Sequence, residues 1–258
     1  MEKLNHTNIL GSFISVLDLN ETCDEFVKLS KTNQSHYICV SNVHTVVTGI
    51  EDPSYAKVTN EATLATADGV PLIWASKLLS KSNSIHGRAS GPDILIEFIK
   101  NKKYSEIKHY FYGSTPAVIE QLKKSLSTMN PNFKAVGFYS PPFRNTPKVN
   151  DILSDEELNE LKNINESQTD IIWIGLGAPK QEIWMARARP HLNRGVLVGA
   201  GAAFDFISGN KKRAPNWMQK AGLEWAFRLL SEPKRLTKRY LDTNPKFVLE
   251  VFKALIAK

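Results

Sequence analysis

The chain has 258 residues, 42% of them hydrophobic and 23% charged, with a net charge of +7. That length allows one α/β body with a core plus an appendage. No run of about 18 apolar residues exists to span a membrane, and Cys23 and Cys39, outside any CxxC pair, exclude a disulfide framework. The start, MEKLNHTNILGSFISVLDLN, lacks a basic region, a clean apolar run and a small-residue cleavage site, so no export is expected. Charge is unevenly placed. Residues 211–258 hold 12 Lys or Arg and 4 Asp or Glu, a net of +8, while residues 1–210 hold 21 and 22, a net of −1. Such a basic end attracts polyanions, whether nucleic acid, anionic lipid or phosphorylated lipid.

In chain order, HYICVSN (36–42) reads as a buried strand ending in polar residues. Residues 44–61 read as helical, broken near Asp52-Pro53. TLATADG (63–69) is a short strand running into a turn, and VPLIWASKLLS (70–80) has apolar residues at helical spacing. GPDILIEFIKN (91–101) is a helix with Pro92 in its first turn. HYFYG (109–113) is a strand, and Ser114-Thr115-Pro116 opens a helix running to about Met129. KAVGFYS (134–140) is a strand before a Pro-rich loop. Ser154 to Asn163 is an amphipathic helix with Ser-x-x-Glu at its start. DIIWIGLG (170–177), APKQEIWMARARP (178–190) and GVLVGAG (195–201) read as strand, helix and strand. This alternation predicts an α/β fold with a doubly wound, mostly parallel sheet over residues 1–209, whose ligands lie beyond the carboxyl ends of the strands. After Gly209 the chain reads as a basic appendage, residues 210–258, of two or three short helices punctuated by Pro215, Pro233 and Pro245.

Polar or glycine-rich groups stand at four of these strand ends: Ser41-Asn42, Ala67-Asp68-Gly69, Gly113-Ser114-Thr115 and Gly175 through Gln181. Asp68, in ADG, faces the crevice, where a carboxylate could take a proton from an attacking hydroxyl, work that contributes about 10²–10⁴-fold. An Asp-Gly turn or a helix cap is the competing reading. GLGAPKQE (175–182) pairs glycines with a helix N-terminus, which suits a pyrophosphate; Gly177 would let the backbone approach, and Lys180 and Gln181 would project from the first turn. A tight turn without a ligand explains the same residues. FYGSTP (111–116), with Gly113 and Ser114, could hold a phosphate or ribose or simply cap a helix. GAGAAFDF (199–206) leaves room for a ligand, with Asp205 as a base or ribose partner, or for close backbone packing. His44, His86 and His109 show no HxxxH or HExxH spacing and no Asp-x-Asp follows a strand, so no metal and no cofactor are expected. Asp155-Glu156-Glu157 complements a helix dipole. Arg228, Arg235 and Arg239 fall at spacings of seven and four, with Pro233 between. Trp217, Trp225, Phe227 and Tyr240 are interleaved, a combination that suits a membrane interface or a packed face.

Together, SNVHTV (41–46), ADGVPLIWASKLL (67–79), FYGSTP (111–116), IGLGAPKQE (174–182) and the stretch 199–240 resemble the WecG/TagA/CpsF family of bacterial glycosyltransferases, over about residues 35–245. The resemblance implies a Rossmann-like sheet with a C-terminal appendage. It also implies inverting, metal-independent transfer of an N-acetylmannosamine-type or related sugar from a UDP-sugar donor to an undecaprenyl-diphosphate-linked acceptor. Such members build cell-surface polysaccharide from the inner, cytoplasmic face of the cell membrane, as peripheral proteins on its anionic surface. By motif, Asp68 matches the proposed base, Gln181 the pocket glutamine and Arg88 the pocket arginine. Ser41 takes the slot where some members have threonine, with Asn42 beside it. Arg228, Arg235 and Arg239 match appendage arginines thought to hold the diphosphate. A homo-oligomer is left open. The rival readings are a Rossmann oxidoreductase, disfavoured by the missing GxGxxG, and a nucleic-acid binder, which leaves the strand-end cluster unexplained. A non-catalytic nucleotide-binding or scaffolding protein of a polysaccharide complex is the remaining alternative.

Overall fold

The computed structural model describes residues 5–80 and 82–257. The reading of residues 1–4 as free of an export signal, and the last residue of the appendage, lie outside the described residues. An antiparallel hairpin comes first, β1 (His6–Ile9) paired with β2 (Ser12–Ser15). Sequence reasoning missed it because its turn is Leu10-Gly11, not Asn-Gly or Asp-Gly. Both turn residues have φ above zero, as a two-residue hairpin turn requires, and the Gly11 N–H donates to Asn8 Oδ1 at 2.8 Å. The helix α1 (Leu19–Ser30) also went unpredicted, although Asp18 and Glu21 form a capping box at its start.

The remaining strands are β3 (Ser35–Ser41), β4 (Leu64–Ala67), β5 (His109–Gly113), β6 (Ala135–Tyr139), β7 (Ile171–Gly175) and β8 (Gly195–Gly199). They form one all-parallel sheet in the order β4-β3-β8-β7-β5-β6. Every residue of β3, β4, β5 and β8 is buried, which is why these strands read as continuous apolar runs rather than alternating ones. Their alternation appears instead in what each face touches. Tyr37, Cys39, Tyr112, Ile172, Ile174 and Leu197 enter one core, and Ile38, Val40, Phe111, Trp173, Val196 and Val198 enter the other.

Helices cover both faces. On the first lie α2 (Val43–Glu51), α4 (Val70–Leu79), α7 (Asp155–Glu166) and α8 (Lys180–Ala188); α3 (Pro53–Asn60) packs beside α2 and α8. On the second lie α1, α5 (Gly91–Lys100), α6 (Pro116–Met129) and α9 (Ala203–Ile207). The doubly wound, Rossmann-like reading holds.

The basic end differs from the expected string of short helices. After α10 (Asn216–Lys220) and α11 (Glu224–Ser231), a single helix, α12, runs from Pro233 to Ile256 with Pro245 inside it. A proline there costs about 3 kcal/mol, and packing offsets it. Thr243, Phe247 and Val251 are buried, the last two in the same core as α2 and α4. Pro233 does stop a helix: it starts α12 at the bend after α11, so Arg228 and Arg235 stand on different helices.

Candidate active site

The carboxyl ends of β3 and β4 open into a cavity of about 450 Å³, roofed by α11 and α12. Asn42, His44, Asp68, Arg88, Arg228 and Arg239 line it. Local structure aims Asp68. Its N–H donates to the Ser41 carbonyl at 2.8 Å, extending the β3–β4 pairing by one residue before α4 starts. Gly69 is the N-cap of α4 and no side chain caps that helix, so Asp68 is neither a cap nor a turn acceptor. Its carboxylate has no hydrogen-bond partner among the described residues. Burial, then the nearby Glu224 carboxylate, pushes it up to about 6, against the pull of Arg88 and Arg228. A carboxylate poised near neutrality and facing open space is what a general base requires.

Arg88 and the appendage arginines are held in contrasting ways. Arg88 donates to Glu224 Oε2 at 2.7 Å, Asp93 Oδ2 at 2.6 Å and Gln219 Oε1 at 2.9 Å. Arg213 binds the other oxygen of Asp93 at 2.6 Å. This network latches residues 213–224 to the start of α5. Arg228 and Arg239 form no ion pair among the described residues. Arg228 lies over the Phe206 ring at 5.8 Å, and its buried Nε has no partner. Burial, then repulsion from Arg235 and Arg228, pushes Arg239 down. Two half-buried guanidiniums that repel each other beside a cavity are short of an anion.

The other predicted residues fall around this centre. Asn42 caps α2, its Oδ1 accepting from the Thr45 N–H at 3.2 Å. Ser41 is buried and contributes its carbonyl to Asp68. Gln181, expected in the pocket, does not line this cavity: it is buried at the ends of β7 and β8. Its Oε1 accepts from the N–H groups of Gly177 and Gly201 at 3.2 and 3.3 Å. Gly113, at φ +126°, sits where a Cβ would meet the Gly175 backbone at 2.7 Å, so no other residue fits. The Ser114 N–H donates to the Gly175 carbonyl at 3.0 Å, while Thr115, not Ser114, caps α6. Lys180 turns away, lying over Phe143 and binding the Arg144 carbonyl in a separate cavity shared with Tyr112 and Arg187. Asp205 accepts from Asn210 at 2.7 Å and pairs with Lys211 at 3.2 Å, and Arg235 pairs with Glu232 at 2.6 Å.

Sequence reasoning missed several wall residues. His44 was set aside for lack of metal-ligand spacing, yet its buried Nδ1 has no partner and it lines the cavity. Burial and then Arg239 push its imidazole down to about 4, so it is neutral at pH 7. Trp74, Glu224, Tyr240 and Asn244 also line the space. Position 44 was visible inside SNVHTV; the others needed the docking of α11 and α12.

Comparison with known proteins points the same way. The profile of the Glycosyl transferase WecG/TagA/CpsF family matches residues 7–258. A Bacillus subtilis (strain 168) protein named N-acetylglucosaminyldiphosphoundecaprenol N-acetyl-beta-D-mannosaminyltransferase is 31% identical over 218 residues, covering 84% of this chain and 78% of the relative. Proteins of the same name from Bacillus spizizenii and Staphylococcus aureus (strain MW2) are 28% and 26% identical. Coverage is 86% of this chain and 80% of the relative for the first, and 93% and 88% for the second.

Proposed function

The chain belongs to the WecG/TagA/CpsF family of glycosyltransferases, and on that premise we propose that it moves a sugar from a UDP-sugar to a polyprenyl-diphosphate-linked sugar. The unpaired pair Arg228 and Arg239, facing the unbonded carboxylate of Asp68 across one cavity, carries this reading. Asp68 takes the proton of the acceptor hydroxyl. The resulting oxygen attacks the anomeric carbon on the face opposite the diphosphate, the glycosidic bond forms, and the bond to UDP breaks with inversion. Charge grows on the departing diphosphate, and Arg228 and Arg239 stabilise it, work that a bound metal does in other transferases. Arg88 holds the roof in place and adds positive potential. The glycine loops at Gly177 and Gly201 and the Gly113-Ser114 turn supply close backbone approach for the nucleotide. The relatives' printed names, which specify an N-acetylglucosaminyl-diphosphoundecaprenol acceptor and an N-acetylmannosaminyl group, make those sugars the first to try.

A lipid-linked acceptor has a matching surface. Next to the cavity, Trp225, Leu241, Val248, Leu249 and Phe252 line an apolar groove between α11 and α12. Leu241, Val248 and Phe252 are 69%, 67% and 59% exposed. Lys234, Lys238 and Lys246 are on the same helix. An apolar stripe flanked by lysines suits peripheral binding to an anionic membrane. No helix among the described residues is long and apolar enough to cross one.

The deciding experiment measures UDP release from a panel of UDP-sugars, with a short-chain prenyl-diphosphate N-acetylglucosamine acceptor and EDTA present. Acceptor-dependent release with one donor is the expected result. Release only after a divalent cation is added sinks metal independence, and absence of any UDP binding sinks the donor assignment.

A further inference from the structure

Glu182 is a carboxyl with no solvent exposure, in the first turn of α8, and no cation among the described residues pairs with it. Leaving an acid in such a place is costly, and an apolar residue would pack there without that cost. Its surroundings are Tyr55 of α3 and Cys39 of β3, both neutral. Oε2 of Glu182 and the hydroxyl of Tyr55 lie near enough to influence each other, yet no hydrogen bond of normal geometry joins either atom to a partner. The well-formed bond of this side chain is local: Oε1 accepts from Nε2 of Gln181 at 2.8 Å.

That bond decides which way round the Gln181 carboxamide sits. With Nε2 held by Glu182, Oε1 faces the N–H groups of Gly177 and Gly201. These two amides belong to different loops, one after β7 and one after β8, on neighbouring strands. A flipped carboxamide would present Nε2 to both N–H groups, donor against donor, and would release both loops. The fit is close: a Cβ at Gly199 would lie 2.8 Å from Nε2. We propose that Glu182 is a positioning residue, acting through Gln181 to hold the two glycine loops in the shape that receives the nucleotide. This rests on the donor reading given above. Burial pushes the carboxyl up to about 7. Its neutral form still accepts at Oε1, so the arrangement survives on both sides of that pH.

The test uses the full chain carrying Glu182→Gln, Glu182→Leu, Gln181→Leu and the Gln181→Leu/Glu182→Leu pair. Two readouts apply: hydrogen exchange of peptides spanning 175–182 and 199–206, and the Kd for UDP. Glu182→Leu raises exchange in both loops and weakens UDP binding about tenfold, the scale of one or two lost hydrogen bonds. Glu182→Gln, which keeps an acceptor oxygen, stays close to the native protein in both readouts. The double variant is no worse than Gln181→Leu alone. Full additivity in the double variant, or unchanged loop exchange in Glu182→Leu, overturns the proposal. Should leucine at 182 prevent folding, Glu182→Met takes its place with the same two readouts, and unchanged exchange in both loops refutes the lock. If the native protein binds no UDP, the donor reading fails while the exchange arm still judges Glu182.

Discussion

Two groups of arginines border the same cavity and do opposite things. Arg88 and Arg213 are ion-paired: between them they bind Asp93, Glu224, Gln219 and Ser90 at distances of 2.6–3.3 Å. Arg228 and Arg239 have no carboxylate, although Glu232 lies near enough to influence Arg239. A paired guanidinium is structural, because its charge is already answered. An unpaired one beside an open space is waiting for a ligand, since the protein bears the repulsion without a return in stability. The same contrast separates carboxylates: Asp93 is held below the usual range, with Arg213 and Ser90 bonded to it outweighing its burial, whereas Asp68 is pushed up to about 6.

The comparison breaks most visibly at Asp68. Asp68→Asn is expected to cut acceptor-dependent UDP release by about 10²–10⁴-fold with UDP affinity retained. Loss of UDP binding in that variant would make Asp68 a binding or folding residue. Native kcat/KM should rise with pH through about 6 and level off above it. Stability moves the other way. A carboxyl raised in the folded state stabilises the fold below its unfolded pKa near 3.9, and that contribution is lost as pH rises through about 6. Asp68→Asn at pH 8 should therefore melt no lower than the native protein.

The arginines come next. Arg228→Ala or Arg239→Ala should lower kcat by about 10²-fold with little change in melting temperature, because no carboxylate partner is abandoned. Arg88→Ala should lower both, since it takes the 2.7 Å partner from Glu224 and one of three partners from Asp93. A loss of about 1–3 kcal/mol amounts to about 2–4 °C per kcal/mol for a chain of this size. Equal melting shifts for Arg88→Ala and Arg228→Ala would erase the distinction between latch and ligand site. The smallest effect is at the surface: Phe252→Asp should weaken binding to vesicles containing anionic lipid, measured by flotation, and unchanged flotation would remove the apolar groove from the membrane contact.

What could be read from the residues alone follows from short-range physics. The parallel sheet was legible because strands covered on both faces must be apolar along their whole length, and polar strand ends at Ser41-Asn42 and Asp68 mark where that cover stops. The motif resemblance also marked Asp68 and the glycine loops. The hairpin at 6–15 was not legible, because its turn satisfies φ above zero with Leu10, a residue no turn rule favours. Nor was the continuity of α12: a proline inside a helix reads as a break, and only burial of Thr243, Phe247 and Val251 against the body outweighs it. The motif resemblance made Arg88 a pocket arginine and Arg228 a diphosphate-holding one, and tertiary structure decided which of them is already paired. A guanidinium's role is set by whether a carboxylate lies within hydrogen-bond reach, and of the two that Arg88 binds, Asp93 is five residues away while Glu224 stands 136 residues away along the chain.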